Sequence, residues 1–151
     1  MRMVIDTDVW LSALFSQRGA SHRIVRWLTR EYRDRGRKIH LLSNTQVFEY
    51  SAVFTRSENL ERSGLDRQRM ERFIDGICLI SYYQEIDFLW RPFLKDKDDD
   101  MVLEVAVNGA ADWIVTYNRK DFVGVEKYFG IRVVSPADFL IEMRSIEGAL
   151  S

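Results

Sequence analysis

An α/β fold, one domain with a central, mostly parallel β-sheet flanked by helices, is predicted by three observations on this chain. Short apolar runs alternate with longer segments of helical period, the pattern of strands joined by crossover helices. Two of those runs, Met3-Val4-Ile5 and Trp113-Ile114-Val115, read as buried strands. The 151 residues, 46% of them hydrophobic, fit a single domain with a sizeable core, and no Pro/Ser-rich linker, repeat or low-complexity tract interrupts them.

Taken in order, the first strand spans 2–6 around Met3-Val4-Ile5, and a helix follows over 9–16. A second helix is expected over 21–35, because Ile24, Val25, Leu28 and Tyr32 share one face opposite Arg23, Arg26, Arg30 and Arg33. A strand at 39–42 leads into a helix at 44–57 that Val47, Phe48, Tyr50, Ala52, Val53 and Phe54 make apolar nearly all round. A charged helix over 66–77 precedes a strand at 78–82, and Pro92 marks a loop. Aspartates then open a helix over 99–109, strands follow at 112–116 and 131–134, and Pro136 starts a last helix over 136–145. The domain is placed at 1–145 with a C-terminal tail at 146–151; the order of strands in the sheet is not readable from these patterns.

Net charge is −1 and the isoelectric point about 6.1, so no polyelectrolyte field holds nucleic acid nonspecifically and any phosphate binding must be local. One cysteine, Cys78, excludes an internal disulfide and a thiolate metal cage. Asp6 and Asp8 interrupt the first apolar run, so it does not read as a secretory signal. No stretch is long enough to span a bilayer. The cytoplasm is the expected compartment and no membrane partner is expected.

Four side chains carry the chemistry. Asp6 and Asn118 fall just past the ends of apolar strands, where open parallel sheets bind ligands. Glu49 falls between Ala52 and Val53 on its helical wheel, a costly place for a carboxylate without a partner; the plainer alternative is a Glu at the rim or one paired with arginine. Asp96-Lys97-Asp98-Asp99-Asp100 runs into Met101-Val102-Leu103-Glu104. Capping and the helix dipole account for one or two of these aspartates, but three in succession repel, and a cation relieves that best. Asp100 and Glu104 are four apart and share a face. Oxygen-only ligands favour Mg2+ or Mn2+ over zinc, and His22 and His40 lack metal-ligand spacing.

These residues resemble the PIN-domain nucleases, in particular the toxin components of bacterial and archaeal toxin–antitoxin pairs. The similarity runs from Val4-Ile5-Asp6-Thr7-Asp8-Val9 through 43–49, Asp98-Asp99-Asp100-Met101-Val102-Leu103-Glu104-Val105-Ala106 and Ala111-Asp112-Trp113-Ile114-Val115-Thr116-Tyr117-Asn118-Arg119-Lys120-Asp121-Phe122 to the closing segment 131–140. It implies a PIN-like fold and a Mg2+- or Mn2+-dependent endoribonuclease with a metal site at Asp6, Glu49, Asp100 and Asn118. Asp8 stands where many members carry Asn, and Asn118 where many carry Asp, which leaves Asp121 as a substitute fourth carboxylate. Thr7, Asp8, Asp99, Glu104 and Thr116 would support the site or position phosphate. The partners implied are an RNA substrate, a cognate antitoxin protein and a second copy of the chain in a homodimer. Arg23, Arg26, Arg30 and Arg33 are candidate RNA contacts, although a solvated basic face opposite an apolar one needs no such role.

Two other readings stay open at this point. An apolar strand followed by Asp6-Thr7-Asp8-Val9 also resembles the opening of haloacid-dehalogenase-like phosphatases, with Asp6 as nucleophile and Asp8 as acid/base. The chain is short for that fold and lacks a lysine in the usual context. Asn118 alone suggests a degenerate PIN domain that binds RNA or a partner without cutting.

Overall fold

The computed structural model describes residues 1–88 and 93–150, except the side chains of 147–150; Pro92 and Ser151 therefore lie outside the described residues. Five strands, β1 (Met3–Ile5), β2 (His40–Leu42), β3 (Ser81–Tyr83), β4 (Trp113–Val115) and β5 (Arg132–Val134), form one sheet in the order β3-β2-β1-β4-β5. Every pairing is parallel, with Ile5 beside Val115 and Val115 beside Val134. Among the described residues eight α-helices accompany them: α1 (Thr7–Phe15), α2 (Ala20–Arg35), α3 (Asn44–Phe54), α4 (Ser57–Ser63), α5 (Arg67–Ile80), α6 (Lys97–Asn108), α7 (Val125–Phe129) and α8 (Pro136–Leu150). The predicted α/β class is the observed one.

Alternation along the strands divides the core into two layers. Met3, Ile5, Leu42, Trp113 and Val115 face a cluster completed by Trp10, Ile24, Leu28, Tyr50, Phe54, Ile74 and Phe139 of α1, α2, α3, α5 and α8. Val4, Leu41, Ile114 and Val133 face the other way, onto Val102, Leu103, Val105 and Ala106 of α6 and Val125 of α7. Both faces of the sheet are covered at β1 and β4, which explains why these strands read as unbroken apolar runs, while edge strand β3 leaves Tyr82 and Tyr83 exposed.

Four expectations need correction. The apolar run from Cys78 begins no strand, because α5 keeps burying Met70, Ile74, Ile77 and Ile80 at helical spacing while Leu79 is exposed, and the strand starts only at Ser81. The helix expected over 44–57 stops at Phe54, and α4 forms separately beyond it. Nor is α3 buried all round: Gln46, Tyr50 and Phe54 face inward, while Phe48 is 77% exposed. The segment 146–150, read as a tail, continues α8 to Leu150.

At the end of α6, a methyl on Gly109 would collide with Leu41 Cδ1 and sit 3.0 Å from Gln84 Oε1 and 3.1 Å from the Val105 carbonyl oxygen. Leu41 is buried and cannot swing aside. Gly109→Ala is therefore expected to lose about 1–3 kcal/mol of stability, as overpacking does, measured by urea unfolding; an unchanged midpoint would show that α6 can slide away from β2.

Candidate metal centre

Strand order reverses at β1, with β2 and β3 on one side and β4 and β5 on the other, so the crevice past the ends of β1 and β4 is the sheet's switch point. Asp6 stands there. It caps α1, with Oδ1 accepting from the Thr7 amide at 2.8 Å, while Oδ2 accepts from Thr116 Oγ1 at 2.8 Å across the crevice. Thr116 is fully buried and its hydroxyl in turn accepts from the Asn118 amide at 3.0 Å. This relay from β4 through Thr116 orients the Asp6 carboxylate.

The surrounding groups are mostly acids. Burial raises the Asp6 carboxyl above its ordinary value, the Thr116 hydrogen bond opposes this, and the charges of Asp8 and Asp121 add to the rise. Glu49, placed on α3 by the capping box of Ser43 and Gln46, is half-buried, and Thr7 Oγ1 donates to its Oε1 at 3.5 Å. Burial and the charges of Asp98 and Asp6 push Glu49 up to about 7. Asp99 is pushed up to about 7 by burial and by Asp6, Asp96 and Asp121. Among the described residues no lysine or arginine forms an ion pair with Asp6, Glu49 or Asp99.

The aspartate run sets Asp100 and Asp99 in different surroundings. Asp100 is buried, and its Oδ1 accepts from the Leu94 amide at 2.8 Å and the Phe93 amide at 3.4 Å, so it ties down the loop before α6. Its neighbour Asp99 is the one whose charge acts with Asp6. Successive residues lie about 100° apart around a helix of 3.6 residues per turn, so Asp99 and Asp100 cannot face one site equally. Asp96 is also occupied locally, accepting from the Asp98 amide at 2.8 Å as the α6 cap. Glu104 is buried but is not among the charges that principally shift Asp6, Glu49 or Asp99.

Past β4, Asn118 is half-buried and precedes a 3-10 turn over Arg119–Phe122, in which exposed Asp121 lends its charge to both Asp6 and Asp99. Tyr117, not singled out from the sequence, is 49% exposed, and its hydroxyl bonds Ser12 Oγ at 3.0 Å and Ser21 Oγ, fastening this loop to α1 and α2. Ser21 also marks the end of α2 nearest the acids. The far end, at Arg35, borders a cleft with Met1 and Ile39, which precede β1 and β2 at the opposite end of the strands. Arg23, Arg26, Arg30 and Arg33 are exposed along that helix, so Arg30 and Arg33 lie away from the crevice, and Arg33 is paired with Asp34 at 2.9 Å.

His40 lies in the core, its Nδ1 bonded to Ser81 Oγ at 2.9 Å, and burial holds it down to about 3 and hence neutral. Among the described residues no three His, Cys, Asp or Glu side chains are gathered into a ready-made metal cage. The donor set nonetheless suits a hard cation. It is all oxygen, its members raise one another's proton affinity, and among the described residues no basic side chain pairs with them.

A family model described as PIN domain matches residues 2–120, which takes in β1, α3, α6, β4 and their acids. No curated protein matches the chain. Among the described residues no helix is long and apolar enough to cross a membrane.

Proposed function

The chain belongs to the PIN-domain family, and from that premise we propose that it is a metal-dependent endoribonuclease, the RNA-cleaving toxin of a toxin–antitoxin pair acting in the cytoplasm. The observation that carries this reading is the carboxylate cluster at the sheet's switch point, uncompensated by any ion pair among the described residues. Asp6, Glu49 and Asp99 would hold Mg2+ or Mn2+, with Asp121 or Asn118 completing the set and Asp8 close by.

When bound, such an ion supplies an acidified water and neutralises charge on the phosphoryl oxygens. The chain's own contribution is orientation and proton affinity. Thr116 Oγ1 and the Thr7 amide fix both oxygens of Asp6. Without metal, Glu49 and Asp99, each raised to about 7, hold protons near neutrality that a bound ion would displace. No protein nucleophile is then required. The PIN-domain match over residues 2–120 favours this reading over the phosphatase one.

The purified chain is expected to cut RNA with Mg2+ or Mn2+, to fall silent with chelator, and to leave p-nitrophenyl phosphate intact. Asp6→Asn is expected to abolish cutting, since the amide keeps the shape and loses the charge. Chelator-resistant cleavage, or an Asp6→Asn chain as active as wild type, would overturn the mechanism. A cognate antitoxin and a homodimer follow from the same resemblance; the reading frame beside the gene and the mass of the chain in solution test them.

A further inference from the structure

Two adjoining grooves meet at Lys120 and Val123, beside the acid cluster. The first, about 630 Å3, takes in Phe93, Lys95, Asp96, Asp99, Lys120 and Asp121. The second, about 450 Å3, continues over the segment after β4 past Arg119, Lys120, Glu126 and Lys127. We propose that together they form the path of a single-stranded RNA segment leaving the acid cluster, in which Lys120 and Lys127 contact phosphates and Phe93 and Tyr128 meet bases. The identity of the strand rests on the ribonuclease reading above.

Charge favours this path. In the first groove Lys95 and Lys120 offset two of three aspartates, and an ion held at Asp99 would lower the remaining negative charge. In the second, the one carboxylate is already engaged: Glu126 Oε1 accepts from the Val133 amide at 2.9 Å and its Oε2 lies 3.8 Å from Arg132. Arg119 approaches Asp138 only at 3.9 Å, both groups more than half exposed, a pairing that costs little to give up. Among the described residues Lys120 and Lys127 have no ion pair. Since the whole chain carries a net charge of −1, phosphate must be held by such a local strip.

Aromatic placement selects a single strand. Phe93 lines the first groove and meets Tyr128 edge to face at 5.9 Å; Tyr128, bonded through its amide to Gly124 of the second groove, remains 67% exposed, with Lys127 Nζ 5.7 Å from its ring centre. Ring faces at the edge of a basic groove bind bases that are unstacked, which a duplex does not offer. The arginine stripe of α2 is the competing surface, but it leads away from the acids.

The test is binding of a labelled single-stranded RNA oligonucleotide to the Asp6→Asn chain in Mg2+, which reads affinity without cleavage, over a series of salt concentrations. Lys120→Ala and Lys127→Ala should each flatten the slope of log affinity against log salt by about 0.7, the share of one phosphate contact on a single strand. Tyr128→Ala should weaken binding about tenfold at an unchanged slope, as loss of one stacked base does. Arg30→Ala and Arg33→Ala should change neither. An unchanged slope in the double lysine variant, or a slope carried by the α2 arginines instead, overturns the path, and equal affinity for a duplex overturns the single-strand assignment. Should the slopes change as stated while wild-type protein cuts no RNA, the ribonuclease reading fails and the path stands.

Discussion

Asp99→Asn is expected to abolish metal-dependent RNA cleavage, while Asp100→Asn retains most of it. The two residues are adjacent and chemically identical, so the contrast isolates geometry. Asp99 exchanges charge with Asp6 and Asp121, and replacing it removes a metal donor while easing repulsion, so the folded chain should be no less stable. Asp100 holds the Leu94 and Phe93 amides. An asparagine there still presents an acceptor oxygen, whereas Asp100→Ala strands buried amides at a cost of about 1–3 kcal/mol. For a chain of this size each kcal/mol shifts the unfolding midpoint by roughly 2–4 °C. Thermal unfolding and RNA cleavage measured on all three variants check this. Full activity in Asp99→Asn with none in Asp100→Asn would return the metal to Asp100.

Metal-free protein should lose stability as pH rises from about 4 to about 7, and added Mn2+ should restore it. The sign follows from the raised carboxyls. Glu49 moves from an ordinary 4.5 to about 7 on folding, and Asp99 from 3.8 to about 7, so within that window the native chain binds more protons than the unfolded one. Stability therefore falls with rising pH there and levels off once both groups have ionised. A divalent ion replaces those protons, so the upward shift of the midpoint with metal should be small at pH 5 and large at pH 8. At a concentration near 100 times its dissociation constant an ion binding only the native state adds ~2.7 kcal/mol, or roughly 5–10 °C in a chain of this size. Glu49→Gln should flatten the metal-free pH dependence and blunt the metal response. A midpoint that rises with pH in the absence of metal, or a metal shift equal at both pH values, would show that these acids do not share one site.

Local chemistry along the chain is enough for the α/β class, for β1, β2, β4 and β5, and for an oxygen-only donor set that includes Asp6 at a strand end. Those features depend on spacing between near neighbours: a run such as Met3-Val4-Ile5 is apolar on both faces wherever it sits, and Asp6 after it must emerge at the strand's end. Glu49 was legible for the same reason, as a carboxylate on a helix otherwise rich in apolar residues. The strand order, the start of β3, and the short helices α4 and α7 were not: pairing is set between distant segments, the residues before Ser81 are apolar in helix or strand alike, and helices of five to seven residues carry too little periodicity to stand out from their flanks.

Only tertiary packing sets the surroundings of Asp99 apart from those of Asp100. Both carry the same charge in the same first turn, and what separates them is the rotation of α6 about its axis. Val102, Leu103, Val105 and Ala106 set that rotation by packing against Val4, Leu41 and Ile114, and the Asp100 bond to Leu94 locks it. The same holds for the basic groove. Lys120 and Lys127 are unremarkable in the sequence beside the regular arginine stripe of α2, yet the turn after β4 carries Lys120 to the acids while α2 carries Arg30 and Arg33 away. Helical spacing states which residues share a face; which way that face points is settled by contacts between segments far apart in the chain.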